Sequence, residues 1–125
     1  MAGQPVLFVS HGSPLTALGG DPLSAVWQRL AVRLARPQAI VVVSAHWESA
    51  APRVGGAAWP ETIHDFGGFP AALYRLDYPA PGAPELAERL CASLRGAGWA
   101  AAVDPGRGLD HGAWVPLRTL FPATE

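Results

Sequence analysis

Two of the four histidines stand at matched positions, each just after a short apolar run. His11 follows residues 5–10 (PVLFVS), and His46 follows residues 38–44 (QAIVVVS) after a single alanine. Imidazole is the commonest metal-binding side chain, and two that converge would supply half or more of the protein ligands of an iron or zinc ion. A histidine after a strand can also be a hydrogen-bonded structural residue. The matched positions favour a shared metal site without excluding that alternative.

The two apolar runs have the length of strands that are covered on both faces, as in parallel sheets. Between them, Asp21 and Pro22 are typical of a helix start, and apolar residues recur at helical spacing before Pro37. Strand, helix and strand in this order predict a βαβ unit with parallel strands and a well-buried N-terminal region. Both histidines would then emerge at the same edge of the sheet, where open α/β folds bind ligands.

The remaining pattern extends the prediction to one α/β domain spanning residues 1–125, with a mostly parallel central sheet flanked by helices. It contains a possible short strand within 52–58, a loop at 59–70, a possible short strand at 73–77, a helix from Pro84 ended by Gly96 or Gly98, a strand at 99–103 and a last helix reaching Phe121.

Composition excludes several classes of function. The net charge is −1, and the nine cationic side chains are scattered arginines, so there is no basic patch for nucleic acid. The longest apolar runs are too short for a leader or a membrane span. The single cysteine, Cys91, fits a reducing compartment and is predicted to pack in the core. We therefore expect a cytoplasmic protein without nucleic-acid or membrane partners; the oligomeric state is not predicted.

Five further residues could take part in chemistry near the two histidines. His111 is the acid–base candidate, because a free imidazole titrates near neutral pH. Asp65 beside His64, and Asp110 beside His111, could serve as carboxylate partners or as caps of turns. Ser13 follows a predicted strand, yet the Gly-x-Ser-x-Gly spacing of a serine hydrolase is absent, so its predicted role is limited to lining the site.

Several aromatic side chains lie near these residues in sequence. They could form the wall of a pocket for an aromatic substrate, although packing in the core is the expected role for most of them. The set comprises Trp47, Trp59, Phe66, Phe69 and Trp114.

Five ordered motifs give the chain a specific resemblance that covers nearly its whole length. The chain resembles the DOPA 4,5-dioxygenase type of class III extradiol ring-cleavage dioxygenases, in the LigB-like superfamily, and matches only the N-terminal half. The motifs are LFVSHGSP at 7–14, PQAIVVVSAHW at 37–47, IHDFGGFP at 63–70, YPAPG at 78–82 and DHG at 110–112.

The resemblance implies roles for named residues. His11 and His46 correspond to metal ligands, His111 to an active-site histidine near the substrate, and His64 to a pocket residue. It also implies Fe(II) for activity, with Zn(II) able to occupy the site. A catechol such as DOPA and O2 would be the substrates, and the ring would open beside the diol.

The family site also needs a third protein ligand and a further catalytic histidine from a C-terminal half. Neither is found in this sequence, so the fragment is expected to be truncated relative to the family and inactive by itself. Two alternatives remain open. A tetrapyrrole metal chelatase can also place His-Gly-Ser after its first strand, and a non-catalytic metal-binding fragment would explain a partial ligand set.

Overall fold

The computed structural model describes residues 3–122 and has an α/β fold, as predicted. Most of the chain lies in short helices and connecting loops, and the sheet is small. The elements in chain order are a 3₁₀ helix Pro14–Leu18, α1 Pro22–Ala31, β1 Arg53–Gly55, α2 Ala71–Tyr74, α3 Pro84–Gly96, β2 Ala102–Asp104 and α4 His111–Leu120.

The sheet consists of β1 and β2, which pair in parallel with Val54 opposite Val103. Two parallel neighbours need a crossover connection, and α3 lies within it and packs against both strands. The buried face of α3 includes Cys91, which confirms its predicted place in the core. The expected parallel sheet with flanking helices is therefore present, built from two short strands at 53–55 and 102–104.

The two strands predicted before His11 and His46 are not strands in the structure. Residues 5–10 and 38–44 form no ladder, and they are not buried: the exposed fraction reaches 105% for Phe8 and 94% for Val43. Apolar composition gives a segment the propensity for a strand, but a strand forms only when its backbone groups find a partner. Among residues 3–122, neither 5–10 nor 38–43 makes a backbone hydrogen bond to another segment, so the predicted βαβ unit and its buried N-terminal region are wrong for this structure.

The helices follow the sequence signals closely. Asp21 caps α1, where its Oδ1 accepts the backbone N–H of Ser24 at 2.8 Å, and Pro22 occupies the first turn. The predicted helices from Pro84 and towards Phe121 are confirmed as α3 and α4. The possible strand at 73–77 is wrong, because the chain forms the single-turn helix α2 there and then extends without a strand partner.

The core lies between α1, α2, α4 and the 3₁₀ helix. Its largest fully buried side chains include Trp27 of α1, Leu73 of α2 and Trp114 of α4. The Trp114 indole N–H donates to the Ile63 carbonyl at 2.8 Å, which ties the long loop before α2 to α4. This tie matters for the site, because the same loop carries Asp65.

Within residues 3–122, no helix is long and apolar enough to cross a membrane.

Candidate metal centre

His11 is held at the start of a tight turn that requires glycine at the next position. Gly12 has a φ of +63°, in the left-handed region that glycine adopts without strain. A Cβ there would lie 2.6 Å from Leu23 Cδ2 of α1, so α1 packs directly against this turn. Ser13 then caps the 3₁₀ helix by accepting the Leu15 backbone N–H at 3.3 Å. The observed contact of the Ser13 hydroxyl is therefore a cap, and its role in lining the site stays a prediction.

His46 stands on a turn that is fixed by the hydroxyl of Ser44. The Ser44 Oγ accepts the His46 backbone N–H at 3.2 Å and donates to Asp110 Oδ1 at 2.6 Å. The Trp47 backbone N–H closes the turn on the Ser44 carbonyl at 3.3 Å. The hydrogen bond to Asp110 spans 66 positions of sequence and joins this turn to the residue before α4.

His111 is the first residue of α4, and Asp65 holds it from the loop before α2. The Asp65 Oδ1 accepts the His111 backbone N–H at 2.8 Å, so it satisfies one of the free donors at the helix start. The His111 Nδ1 lies 2.9 Å from the same oxygen, but its direction does not meet hydrogen-bond geometry. We therefore treat this second contact as an electrostatic one, which favours a hydrogen on Nδ1.

The three imidazoles of His11, His46 and His111 meet at one point. The Nε2 atoms of His11 and His46 are 2.9 Å apart, and one ring nitrogen from each of the three residues lies within 4.8 Å of the others. Two neutral nitrogens with facing lone pairs repel each other, so the short contact is favourable only with a proton or a cation between them. Metal–nitrogen bonds of about 2.0–2.1 Å would let one ion reach both nitrogens.

The electrostatics at His111 favour a charged carboxylate beside the ring. Partial burial by itself would raise the pKa of Asp65, but the hydrogen bond from the His111 backbone and the adjacent ring outweigh it. The net direction is a lowered pKa, so Asp65 stays ionised near neutral pH. A charged carboxylate next to an imidazole fixes the tautomer and the orientation of the ring.

Asp110 is buried, and both of its carboxylate oxygens contact other side chains. Its Oδ2 pairs with the Arg107 guanidinium at 3.0 Å, and its Oδ1 accepts from Ser44. The Arg107 guanidinium lies 5.0 Å from the centroid of the Trp47 ring. Asp110 precedes α4 at the cap position, yet its side chain makes no cap hydrogen bond there. The network thus holds the His46 turn against the start of α4.

The comparisons with known proteins agree with this geometry. Residues 5–125 match the profile of a family described as the catalytic LigB subunit of aromatic ring-opening dioxygenase. The chain belongs to this family. The predicted resemblance to the LigB superfamily is therefore confirmed.

Two relatives of this LigB chain carry the name of an extradiol dioxygenase. It is similar to 4,5-DOPA dioxygenase extradiol of Escherichia coli K12, with 49% identity over 98% of this chain and 45% of the relative. It is also similar to the protein of the same name from Beta vulgaris, with 44% identity over 98% of this chain and 47% of that relative. The LigB chain thus spans less than half of the length of either relative.

A solved structure is similar to this chain in fold. An uncharacterized protein from Escherichia coli K12 superposes on this LigB chain with a TM-score of 0.61 and 37% identity. The match covers 83% of this chain and 37% of that protein. The fold class is therefore confirmed by a structure as well as by the elements described above.

His64 lies apart from the three converging histidines. Its Nε2 contacts the Leu76 carbonyl at 2.7 Å, and its ring packs against Trp114 with centroids 5.6 Å apart. Both contacts connect the loop before α2 to the core. Its predicted pocket role stays a prediction, since the observed contacts stabilise the loop.

Of the aromatic residues, Phe66 is nearest the centre. Its ring centroid is 5.7 Å from that of His111, and it contacts the Phe69 ring edge to face at 5.4 Å. Trp114 is fully buried, which confirms core packing, and Trp59 is 72% exposed. Phe66 is therefore the aromatic side chain of this loop that could face a ring bound at the three histidines.

Sequence reasoning overlooked Gly112, which lets the His46 turn approach α4. A Cβ at Gly112 would lie 2.6 Å from Ser44 Oγ and 2.8 Å from the His46 ring carbon Cδ2. Glycine costs about 0.5–1 kcal/mol relative to alanine inside a helix, so its presence in the first turn of α4 was a signal of a close approach. The triplet Asp110-His111-Gly112 combines a positioning carboxylate, an imidazole and the space that the His46 turn needs.

We expect Gly112→Ala to lower the metal affinity of the chain by about tenfold or more, the scale on which displaced outer partners weaken metal sites. The added methyl would displace the His46 ring or the Ser44 hydroxyl, while alanine itself favours the helix. A zinc titration against a competing chelator measures the effect. Gly96→Ala is the matched control, because Gly96 is also helical and a Cβ there meets nothing within 4 Å. Equal affinities for the two variants would contradict the steric argument.

Proposed function

We propose that this chain provides the metal-binding part of an extradiol dioxygenase that opens a catechol-type ring with O2. The observation that carries the proposal is the convergence of three imidazoles at one point, in a chain of the LigB family. His11 and His46 are the proposed ligands, because their Nε2 atoms face each other at 2.9 Å. His111 is the proposed group for proton transfer.

Neutral imidazoles with further open positions suit Fe(II) in oxygen chemistry and also accept Zn(II). We propose Fe(II) as the active metal and Zn(II) as an alternative occupant. When bound, the iron supplies Lewis-acid polarisation of the two catechol oxygens and the redox capacity that O2 needs. The chain's own residues orient the ring and move the hydroxyl proton.

His111 is placed for that proton transfer by two features. Asp65 fixes the ring at the start of α4, and the ring centroid lies 4.1 Å from that of His46. An imidazole with one nitrogen turned to a carboxylate can accept a proton at the other nitrogen, and the carboxylate stabilises the resulting cation. The catechol hydroxyl next to the metal would be the proton donor, with Phe66 against the substrate ring.

The 4,5-DOPA dioxygenase name of the relatives points to a DOPA-like catechol, and we extend that substrate class to this chain as a proposal. We also propose that the protein is cytoplasmic, and that it acts on a small molecule and not on nucleic acid. The family match favours ring opening over the tetrapyrrole chelatase alternative. Binding of metal without turnover is the second candidate, since the chain spans less than half of the length of these relatives.

The test is anaerobic loading with one equivalent of Fe(II), followed by addition of DOPA or catechol and air. The chain is assayed alone and together with the unmatched remainder of the Escherichia coli relative. We expect O2 uptake equal to the catechol consumed and a yellow ring-opened product in the combined sample. Iron binding without O2 uptake in either sample would favour the non-catalytic candidate, and failure to bind iron would exclude both.

We expect His111→Gln to retain metal within about tenfold of the original affinity while lowering the rate by about 10²- to 10⁴-fold, the usual contribution of general acid–base catalysis. Rate and chelator competition are measured on the same sample. Asp65→Asn should lower the rate less and shift the tautomer of His111, which the ¹⁵N shifts of its ring report. A collapse of metal affinity in His111→Gln would make His111 a ligand instead of a proton carrier.

A further inference from the structure

Arg107 lies on a loop whose backbone is fixed on both sides. Before it, β2 ends at Asp104, whose Oδ1 accepts the Gly106 backbone N–H at 3.0 Å. After it, the Leu109 backbone N–H donates to the Glu61 carbonyl at 2.8 Å. The sheet and the loop before α2 therefore hold the Arg107 backbone in place, so its side chain is a fixed support for other residues.

The Arg107 guanidinium reaches the His46 turn along two routes. In the first, its Nη2 donates to Asp110 Oδ2 at 3.0 Å, and Asp110 Oδ1 accepts the Ser44 hydroxyl at 2.6 Å. In the second, it lies 5.0 Å from the centroid of the Trp47 ring. Ser44 and Trp47 flank His46 in the sequence, so one cation reaches both flanks of a proposed metal ligand.

The first route has a fixed hydrogen-bond direction. A guanidinium can only donate, and the carboxylate that pairs with it can only accept, so the Ser44 hydroxyl must give its proton to Asp110. The lone pairs of Ser44 Oγ are then free to accept the His46 backbone N–H, whose nitrogen lies 3.2 Å away. Arg107 therefore orders the donors and acceptors as far as the His46 backbone.

An ion pair that only stabilised α4 would use these groups differently. Asp110 occupies the cap position of α4, yet its side chain makes no cap hydrogen bond there. The Arg107 Nε is buried, and among residues 3–122 it has no hydrogen-bond partner. Both side chains forgo local hydrogen bonds while they make the contact with Ser44, which is 66 positions from Asp110 in sequence.

We propose that Arg107 is a positioning residue of the metal centre, which sets the place of the His46 imidazole through these two routes. This role rests on the proposed metal-binding function. The Nε2 atoms of His46 and His11 must stay close, at 2.9 Å, for one ion to reach both, so a small rotation of the His46 turn would separate them. Outer partners of metal ligands contribute about 10- to 100-fold to affinity, and Arg107 should act on this scale.

Zinc affinity, measured by competition with a chelator, tests this role. Arg107→Met keeps the length of the side chain and removes its charge, and it should lower the affinity about tenfold. Arg107→Lys keeps a cation and should recover most of that loss. With Co(II), the d–d bands should shift in Arg107→Met and return in Arg107→Lys. Arg107→Gln, which also removes the charge, serves should Arg107→Met not fold.

Arg95→Met is the matched control for the loss of an arginine that supports the fold. Arg95 lies in α3, and its Nε donates to the Ala101 carbonyl at 2.8 Å, outside the network of the His46 turn. Its removal should lower stability without changing zinc affinity or the Co(II) bands. The comparison separates a positioning role from general support of the fold.

A double-mutant cycle tests the route through Ser44. Ser44→Ala alone should lower zinc affinity about tenfold or more, because the His46 backbone N–H loses its acceptor. Adding Arg107→Met to Ser44→Ala should then weaken binding clearly less than Arg107→Met does in the original chain. Residues that act through one network are not additive in this way, whereas independent residues are.

Exchange of the His46 backbone amide with deuterium gives a readout that needs no metal. In the metal-free chain it should be about tenfold faster in Arg107→Met than in the original chain, because the local hydrogen bond opens more often, and unchanged in Arg95→Met. If the original chain bound no zinc, the proposed function would fail, and this exchange rate would still decide whether Arg107 holds the turn.

Three results would overturn the positioning role. The first is that Arg107→Met leaves both the zinc affinity and the exchange of the His46 amide unchanged. The second is equal loss of zinc affinity in Arg95→Met, which would reduce the effect to general instability. The third is a double variant whose loss equals the product of the two single losses, which would mean that Arg107 acts independently of Ser44.

Discussion

Replacing His11 or His46 by alanine should lower the affinity of the chain for Zn(II) or Co(II) by more than about a hundredfold, and the double variant should bind neither ion measurably. Loss of a mere outer partner costs about 10- to 100-fold in metal sites, and loss of a direct ligand costs more. The expected effect is large because the two Nε2 atoms face each other at 2.9 Å, so either substitution removes one of the two proposed ligands.

Competition with a chromophoric chelator at pH 7.5 measures the affinity, and the d–d bands of Co(II) report the number of nitrogen ligands. His64→Gln is the control of the same residue type, since His64 contacts the Leu76 carbonyl and lies outside the converging group. Its metal affinity should remain that of the original chain. Metal binding that survives the double substitution would remove His11 and His46 as ligands.

Trp114→Ala should destabilise the fold by about 3–5 kcal/mol, the range for truncating a large buried aromatic residue. Trp114 is fully buried between α1 and the loop before α2, and its indole N–H satisfies the Ile63 carbonyl. The substitution would leave a cavity and an unpaired carbonyl in the same place. Because that loop also carries Asp65, the orientation of His111 should be lost together with stability.

The free energy of unfolding from urea titration measures this effect. Trp59→Ala is the matched control, because Trp59 is 72% exposed, and its unfolding free energy should stay within about 0.5 kcal/mol of the original value. If the unfolding free energy changes little in both variants, the core does not depend on α4, which would contradict the packing described above.

The helices could be predicted from sequence because their signals are local. Asp21 and Pro22 mark the start of α1, and the apolar spacing after Pro84 marks α3, so each helix is specified within a few residues. The segments 5–10 and 38–44 were predicted wrongly for the opposite reason. Their strand propensity is local, but pairing depends on a neighbour elsewhere in the chain or beyond it.

The site, like the fold, could be predicted from sequence only in part. The sequence shows which side chains are available: histidines in Gly-rich or aromatic-rich turns, carboxylates beside two of them, and the motifs that the LigB family shares. Sequence placed His11 and His46 together through a βαβ unit that the structure does not contain. They meet nevertheless, because the 3₁₀ helix and the Ser44 turn bring them to the start of α4.

Long-range packing brings His111 to these two histidines and leaves His64 apart from them. Asp65 holds His111 across 46 positions, and Ser44 meets Asp110 across 66 positions. Such contacts depend on how α4 packs against α1 and against the loop that Trp114 fixes, which no spacing in the sequence encodes. Residue types are a property of the chain, whereas their convergence is a property of packing, and the proposed metal centre requires both.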